Sequence, residues 1–132
     1  MSEYSNKQLV SKLGLIPVMR TAILRAPQGY LDSLELAETP LTRLSGLCDW
    51  IQYFATSTEQ LETVLPNLKR HLKSDGALWL CWIKKSSPLH SGLSENDVRR
   101  LGLSIGLVDV KVAAITDDWS GLKFVYRVKD RP

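Results

Sequence analysis

The stretch that decides the fold is Ala77-Leu78-Trp79-Leu80-Cys81-Trp82-Ile83, the longest apolar run in the chain. A strand with one face in solvent alternates apolar and polar residues, whereas a strand covered on both faces is apolar throughout. Residues 77–83 therefore predict a central parallel strand with helices packed on both of its faces. The run is far too short to span a bilayer.

A strand and a helix precede this run. Residues 49–55 are rich in aromatic and β-branched side chains and predict a strand. A helix follows directly, because Ser57 begins a capping box and leucine then recurs at helical spacing as far as Leu72. Pro66 lies inside this pattern and predicts a kink or a restart. The triplet Ser74-Asp75-Gly76 ends the helix.

The N-terminal part of the chain predicts shorter elements. A capping-box pattern at Ser5-Asn6-Lys7-Gln8 predicts a short helix that stops at Gly14. Residues 20–26 predict the first strand, which is closed by turn residues. Residues 30–36 predict a brief helix, and Leu41-Thr42-Arg43-Leu44 predicts a weak, short strand.

The C-terminal part predicts one helix and two strands. Ser94 caps a helix that has acidic residues in its first turn and stops at Gly106. Residues 108–115 and 122–128 then form two alternating strands, joined through a turn at 117–121. These strands predict an antiparallel hairpin at a sheet edge, where the stretch 122–128 offers a pairing surface for a homodimer.

Length and element order together predict a single α/β domain over residues 1–132. Strands alternate with helices and the last strand doubles back. This order predicts a compact Rossmann-like sheet, mostly parallel, with helices on both faces. A chain of this length buries enough apolar surface to fold without a metal, a cofactor or a disulfide. Cys48 and Cys81 lie in apolar stretches and are expected to be reduced core residues.

Charge and the N-terminus limit the partners and the compartment. The formal net charge is +3, but the basic residues are scattered rather than grouped in one stripe, which argues against nucleic-acid binding. Residues 1–7 contain no apolar segment like that of a signal peptide. We therefore expect a cytoplasmic protein without a membrane contact, and no metal site.

Two resemblances bear on the fold. The order of elements and the final hairpin resemble the second half of a class I methyltransferase-type Rossmann fold. A closer resemblance covers nearly the whole chain and rests on the segments Lys12-Leu13-Gly14, 26–31, 75–79, Lys84-Lys85-Ser86, 106–112 and 119–124. With these segments the chain is similar to the DUF3052 family of uncharacterised bacterial proteins. That resemblance implies a bacterial cytosolic domain and no catalytic residues, and this chain has Ile83 where we would expect proline.

Ligands of open α/β sheets bind beyond the carboxyl ends of the strands, and three predicted loops meet there. The candidate ligand-binding residues in these loops are Gln28, Gly29, Tyr30, Thr56, Ser57, Lys84, Lys85 and Ser86. Backbone N–H groups at the helix start near Ser57, together with a lysine, are suited to hold a phosphate or carboxylate. The alternative is that Thr56 and Ser57 only cap the helix and that the lysines are solvated.

The sequence argues against a dinucleotide or adenosyl cofactor. A methyltransferase or dehydrogenase would need glycines after the first strand and an acidic residue at the end of the second. Pro27-Gln28-Gly29 contains one glycine, and the weak strand ends at Leu44-Ser45-Gly46 without a carboxylate. The cofactor is therefore unknown, and a degenerate fold that kept only a pocket stays open.

The remaining polar residues favour structural roles. Asp117-Asp118 are typical of a turn, and His71 lies where a helix dipole explains it. No G-x-S-x-G motif accompanies His90, which argues against a serine hydrolase. The distinctive motif is Trp119-Ser120-Gly121, because an indole in a turn must bury itself or meet a partner. If Trp119 is exposed, these three residues are candidate partner-binding residues.

Two hypotheses about function follow. The leading one is a non-enzymatic module that binds a protein partner or a small anionic ligand. The alternative is a reduced methyltransferase-like enzyme, or a sensor of S-adenosylmethionine or a nucleotide, that uses the same cleft. An open cleft beyond the first strand favours a ligand or catalysis, whereas a cleft filled by Tyr30 or Trp119 favours a scaffold.

Overall fold

A mixed sheet with helices on both faces makes up the structure, a computed structural model that describes residues 6–131. Its elements are α1 (Asn6–Lys12), β1 (Thr21–Leu24), α2 (Tyr30–Leu34), β2 (Cys48–Phe54), α3 (Thr58–Arg70), β3 (Leu72–Ile83), α4 (Glu95–Ser104), β4 (Leu107–Ala114) and β5 (Trp119–Tyr126). The predicted α/β class is confirmed, and the elements follow the predicted order except for the weak strand at 41–44. Ser5, predicted to cap α1, lies outside the described residues.

The five strands lie in the order β1-β2-β3-β5-β4. Strands β1, β2 and β3 are parallel, and β5 runs antiparallel to both of its neighbours, β3 and β4. Strand β4 therefore points in the same direction as the first three strands. A mostly parallel sheet with a C-terminal antiparallel hairpin is what the sequence predicts.

Helices cover both faces of the sheet. Helices α3 and α4 pack on one face, where they meet Leu78, Leu80 and Phe124. Helices α1 and α2 pack on the other face, against Trp50 and Trp79. No helix in the range 6–131 is both long enough and apolar enough to cross a membrane.

Two indoles and one lysine fix the end of α1. The indole N–H groups of Trp50 and Trp79 both donate to the carbonyl oxygen of Leu13, at 3.0 and 3.2 Å. The ammonium group of Lys111 donates to the carbonyl oxygen of Lys12 at 2.8 Å. The last carbonyls of a helix have no partner within the helix, so these three donors satisfy them and anchor α1 to the sheet.

The central strand is β3, as residues 77–83 predict, because it pairs with β2 on one side and β5 on the other. It begins earlier than predicted, at Leu72, which the helical pattern had assigned to the preceding helix. The register with β2 shifts between Cys48 and Trp50, so the strand is irregular there. Gly76 belongs to this irregular part, where an added Cβ would lie 2.8 Å from the Asp49 carbonyl oxygen.

The helix that contains Pro66 does not restart. Helix α3 runs unbroken from Thr58 to Arg70, with Pro66 exposed inside it. A proline in a helix removes one hydrogen bond, but α3 buries Leu61, Leu65 and Leu68 on the sheet. This apolar face holds the helix together across the proline, so the predicted restart is wrong.

The edges of the sheet differ from the prediction. Strand β5 begins at Trp119 and is paired on both sides, so the stretch 122–128 is not an edge. The edge strand of the hairpin is β4. At the other edge, the predicted strand 41–44 is reduced to a single parallel bridge between Leu41 and Ala22. The turn residues Thr42 and Arg43 do not continue the pairing.

Candidate functional site

The crevice expected of this fold lies between β1 and β2. The helix after β1, α2, packs on one face of the sheet, and the helix after β2, α3, packs on the other. The chain therefore leaves two adjacent parallel strands in opposite directions, which creates a crevice beyond their carboxyl ends. Its walls are the loops at 25–29 and 55–57.

Three aromatic side chains, which we call the aromatic plug, fill the strand ends on the α2 side. They are Tyr30 at the start of α2, Phe54 at the end of β2, and Trp119 opposite Ile83, the last residue of β3. The ring centroids of Tyr30 and Phe54 are 4.9 Å apart, and those of Phe54 and Trp119 are 5.0 Å apart. Both pairs meet edge to face, a favourable geometry for aromatic rings. All three rings are buried.

A buried polar network holds the plug from below. Gln52, in the middle of β2, is fully buried, and its Oε1 accepts a hydrogen bond of 2.8 Å from the Tyr30 hydroxyl. The Gln52 amide lies 3.4 Å from the Cys81 sulfur and donates to it. Burial raises the pKa of the Cys81 thiol to about 12 and the pKa of the Tyr30 hydroxyl well above its ordinary value. Both groups are therefore neutral, and neither is an activated nucleophile.

The start of α3 is capped by its own side chains. The Ser57 hydroxyl accepts a hydrogen bond from the backbone N–H of Gln60 at 3.1 Å. In return the Gln60 Oε1 accepts one from the backbone N–H of Thr56 at 2.9 Å and lies 3.3 Å from the Thr56 hydroxyl. Ser57 caps the helix as predicted, but the predicted capping box is incomplete, because Gln60 bonds the backbone N–H of Thr56 and not that of Ser57. Thr56 and Ser57 therefore have structural roles whether or not a ligand binds.

The loop after β3 is tied to the turn before β5. The Ser87 hydroxyl donates to the Asp118 carboxylate at 2.8 Å, and the backbone N–H of Lys84 donates to the Asp118 carbonyl oxygen at 2.7 Å. Lys85 and Ser86 are exposed and Lys84 is partly exposed. Neither lysine forms an ion pair within residues 6–131. The predicted turn role of Asp118 is thus observed.

The loop after β1 exposes Gln28 and Gly29, whereas Tyr30 turns into the core. Gly29 has φ +84°, a backbone conformation that residues with a side chain rarely adopt. Sequence reasoning missed Arg25, which is also left-handed with φ 58° and has an exposed side chain directly after β1. Its charge lowers the pKa of Tyr53, although burial raises that pKa more. A basic residue that follows a strand was the available signal.

The motif Trp119-Ser120-Gly121 is not a turn. All three residues lie in β5, where Trp119 and Gly121 are buried and Ser120 is partly buried. Gly121 faces Ile115 and the Cys81 sulfur, and an added Cβ would approach them to 3.1 and 3.2 Å. The missing side chain lets β5 pass between them, and Trp119 is 9% exposed. The structural alternative for this motif, an indole packed back on the sheet, is therefore correct.

Solved structures similar in fold to this chain include methyltransferases. A candidate type 11 methyltransferase from Sulfolobus solfataricus aligns over 100% of this chain and 97% of its own, with a TM-score of 0.64 and 18% identity. A SAM-dependent methyltransferase from Aquifex aeolicus covers 92% of this chain and 89% of its own, with a TM-score of 0.60 and 15% identity. This is the fold of the SAM-dependent methyltransferases.

A third structure with this methyltransferase fold contains a bound cofactor. It is magnesium protoporphyrin IX methyltransferase from Synechocystis PCC 6803 with bound SAM, with a TM-score of 0.59 and 13% identity over 92% of this chain and 76% of its own. At such low identities the likeness establishes the fold and not the activity. No protein-family model and no curated protein sequence matches this chain.

Proposed function

We propose that this chain is a methyltransferase-like protein that binds a small anionic ligand at its strand ends without transferring a methyl group. The aromatic plug argues against methyl transfer, because Tyr30, Phe54 and Trp119 fill the cleft on the α2 side, so the anion would bind at the exposed loops beyond the strand ends and not inside the cleft. An aromatic side chain buries about 150–250 Å². Exposing one ring therefore costs on the order of 4–6 kcal/mol at about 25 cal/mol per Å², which a cofactor would have to supply.

The surface above the plug supports an anionic ligand. Arg25, Lys84 and Lys85 follow the carboxyl ends of β1 and β3 and carry no ion-pair partner among the described residues. Arg25 and Lys85 are exposed. Gln28 and Gly29, in the same loop as Arg25, are exposed as well. These positive charges would attract a phosphate or carboxylate to the strand ends.

A second candidate function is a reduced methyltransferase or a sensor that binds S-adenosylmethionine. The comparisons favour it, since the solved structures that share this fold are SAM-dependent methyltransferases. One of them, described as a candidate methyltransferase, is matched over 97% of its own length. This candidate requires the aromatic plug to move aside. The first candidate requires it to stay.

A thermal-shift panel separates the two functions. The purified chain is heated with S-adenosylmethionine, its demethylated product, nucleotides, phosphate and sulfate. A ligand at about 100 times its Kd adds roughly 2.7 kcal/mol, which raises Tm by several degrees. We expect a shift with phosphate or nucleotides and none with S-adenosylmethionine. A clear shift with S-adenosylmethionine and not with the plain anions would establish the second function and refute the first.

Two lysine substitutions test the location of the anion. Lys84→Ala combined with Lys85→Ala should abolish the shift given by the anion, since it removes most of the charge at the end of β3. The matched control is Arg43→Ala combined with Lys129→Ala, which removes the same charge from exposed positions elsewhere. Equal loss in both double variants would show that net charge, and not this site, binds the anion.

We also propose that the chain is a bacterial, cytoplasmic relative of the DUF3052 family, on the segments that resemble it.

A homodimer formed through the hairpin would have to use β4, because β5 is paired on both sides. The register of β4 is broken between Asp109 and Lys111, and such irregularities protect an edge from pairing. Sedimentation of the chain at several concentrations tests this association.

A further inference from the structure

A cavity of about 780 Å³ lies at the opposite end of β1 from the aromatic plug. Its walls are the end of α1, the segment that leads into β1, and the segment from Leu34 to Leu41 that follows α2. Small-molecule pockets in proteins span roughly 300–1,000 Å³. The space is therefore large enough for a small organic ligand.

The walls of the cavity are mostly apolar. Leu15 and Leu34 are buried and form part of the wall, and Met19 and Leu36 are partly buried beside them. Ile16 is 51% exposed at the same site. A ligand with a hydrocarbon or aromatic body would remove these surfaces from water, at a gain of about 25 cal/mol per Å².

The charges at the cavity are predominantly negative. Arg20, Glu35 and Glu38 are its charged lining residues among those described. The Arg20 guanidinium is engaged, because its Nη2 donates to the Ser45 carbonyl oxygen at 2.5 Å. The carboxylates of Glu35 and Glu38 make no hydrogen bond or ion pair in the described part of the chain.

A smaller cavity of about 190 Å³ continues this surface. It shares Glu35 and Glu38 with the large cavity and adds the exposed carboxylate of Asp32. Three carboxylates that make no ion pair in residues 6–131 lie within seven residues of the chain. They would attract a cation beside them and repel an anion.

We propose that this cavity binds a small organic amine, with the apolar body against Leu15 and Leu34 and the protonated nitrogen between Glu35 and Glu38. Apolar walls explain the body of the ligand, and the unpaired glutamates explain its charge. The site is separate from the strand-end site and does not depend on the anionic ligand proposed there.

Three probes with the same phenyl-butyl body test the charge preference. They are 4-phenylbutylamine, 4-phenylbutanol and 4-phenylbutyrate, which are positive, neutral and negative at pH 7. Binding to the full chain is followed by NMR titration of backbone amides. We expect the amine to bind about tenfold more tightly than the alcohol, because each exposed ion pair contributes a few-fold. The acid should bind least, and the shifted amides should include Ser11 and Thr39.

Variants then assign the preference to its residues. The double variant Glu35→Gln and Glu38→Gln should lower the affinity for the amine to that for the alcohol. The affinity for the alcohol should stay the same. The matched control is Glu59→Gln combined with Glu62→Gln, at two exposed positions on α3. This control should leave the binding of all three probes unchanged. Ala37→Trp, designed to fill the cavity, should weaken the binding of all three.

Several results would overturn the inference. The amine and the acid could bind equally, no probe could bind, or the shifted amides could lie in the loops at 25–29 and 84–87. The titration of the unmodified chain decides each of these without any variant. Self-association that blocks the cavity would also refute it, and sedimentation at the NMR concentration detects that outcome. None of these results changes the thermal-shift panel for the strand ends.

Discussion

The two ends of β1 differ in what occupies them. At the carboxyl end, where this fold has its crevice, Tyr30 and Phe54 pack ring against ring and the polar atoms beneath them are satisfied. At the amino end a cavity of about 780 Å³ is open, and its glutamate side chains make no ion pair within residues 6–131. The fold itself therefore does not decide which end of β1 is filled and which is open. A few side chains at each end of the strand decide this.

The difference has a simple origin in residue size and loop length. The rings of the aromatic plug lie at the start of α2, the end of β2 and the start of β5, and they fill the space between the short α2 and the sheet. At the amino end, α1 and α2 are helices of 7 and 5 residues. Helices this short leave part of the β1 edge uncovered, and a single bridge at Leu41 does not close it.

The first prediction concerns the middle ring of the plug. Phe54→Ala should lower the free energy of unfolding by about 3–5 kcal/mol, because it leaves a cavity between Tyr30 and Trp119. Urea denaturation measures the loss. A comparable loss is expected for Phe124→Ala on the opposite face, but only Phe54→Ala should shift the indole resonance of Trp119. A loss below about 1 kcal/mol at Phe54 would mean that the strand ends are open.

The second prediction concerns the hydrogen bond beneath the plug. Tyr30→Phe should cost about 1–3 kcal/mol, because it leaves the Oε1 of the fully buried Gln52 without its donor. Urea denaturation of the variant provides the measurement. Tyr126→Phe is the control, since its hydroxyl makes a longer bond of 3.3 Å at a half-buried site. Similar losses for the two variants would contradict the role given to Gln52.

The third prediction concerns the amino end. Asp49 accepts a hydrogen bond of 2.8 Å from the Arg20 backbone N–H, which lowers its pKa from 3.8, and the 3.0 Å ion pair with Lys73 lowers it further. A carboxyl group whose pKa is lower in the folded than in the unfolded protein stabilises the fold at pH values above the unfolded pKa. That contribution is lost as the pH falls below about 3.8 through the folded pKa.

In Asp49→Asn the free energy of unfolding should therefore fall less steeply in that acid range. At pH 7 it should be about 0.5–1 kcal/mol lower than in the unmodified chain. Urea denaturation at several pH values below 5 follows the change. Asp75→Asn is the control at an exposed position. If the two variants have the same pH profile, the hydrogen bond from Arg20 does not stabilise the start of β1.

The candidate site was only partly predictable. The side-chain cap at Ser57 and the turn at Asp118 follow local rules, and both are observed. The plug could not be read from the sequence, because Tyr30, Phe54 and Trp119 lie far apart in the chain and meet only across three strands. Arg25 was missed because the predicted strand, residues 20–26, contained it, so the signal of a basic residue after a strand became visible only with the end of β1 at Leu24. The cavity at the amino end has no motif at all, since it is space that side chains leave empty.

The sequence by itself determined the α/β class, the central strand at residues 77–83 and the alternation of strands with helices. Local periodicity and capping decide these features, and they need no distant contact. The tertiary structure alone decided that Leu72 and Trp119 belong to strands, that β5 is interior, and which end of β1 is closed. These features depend on pairing and packing between residues distant in sequence, where burial outweighs local propensity.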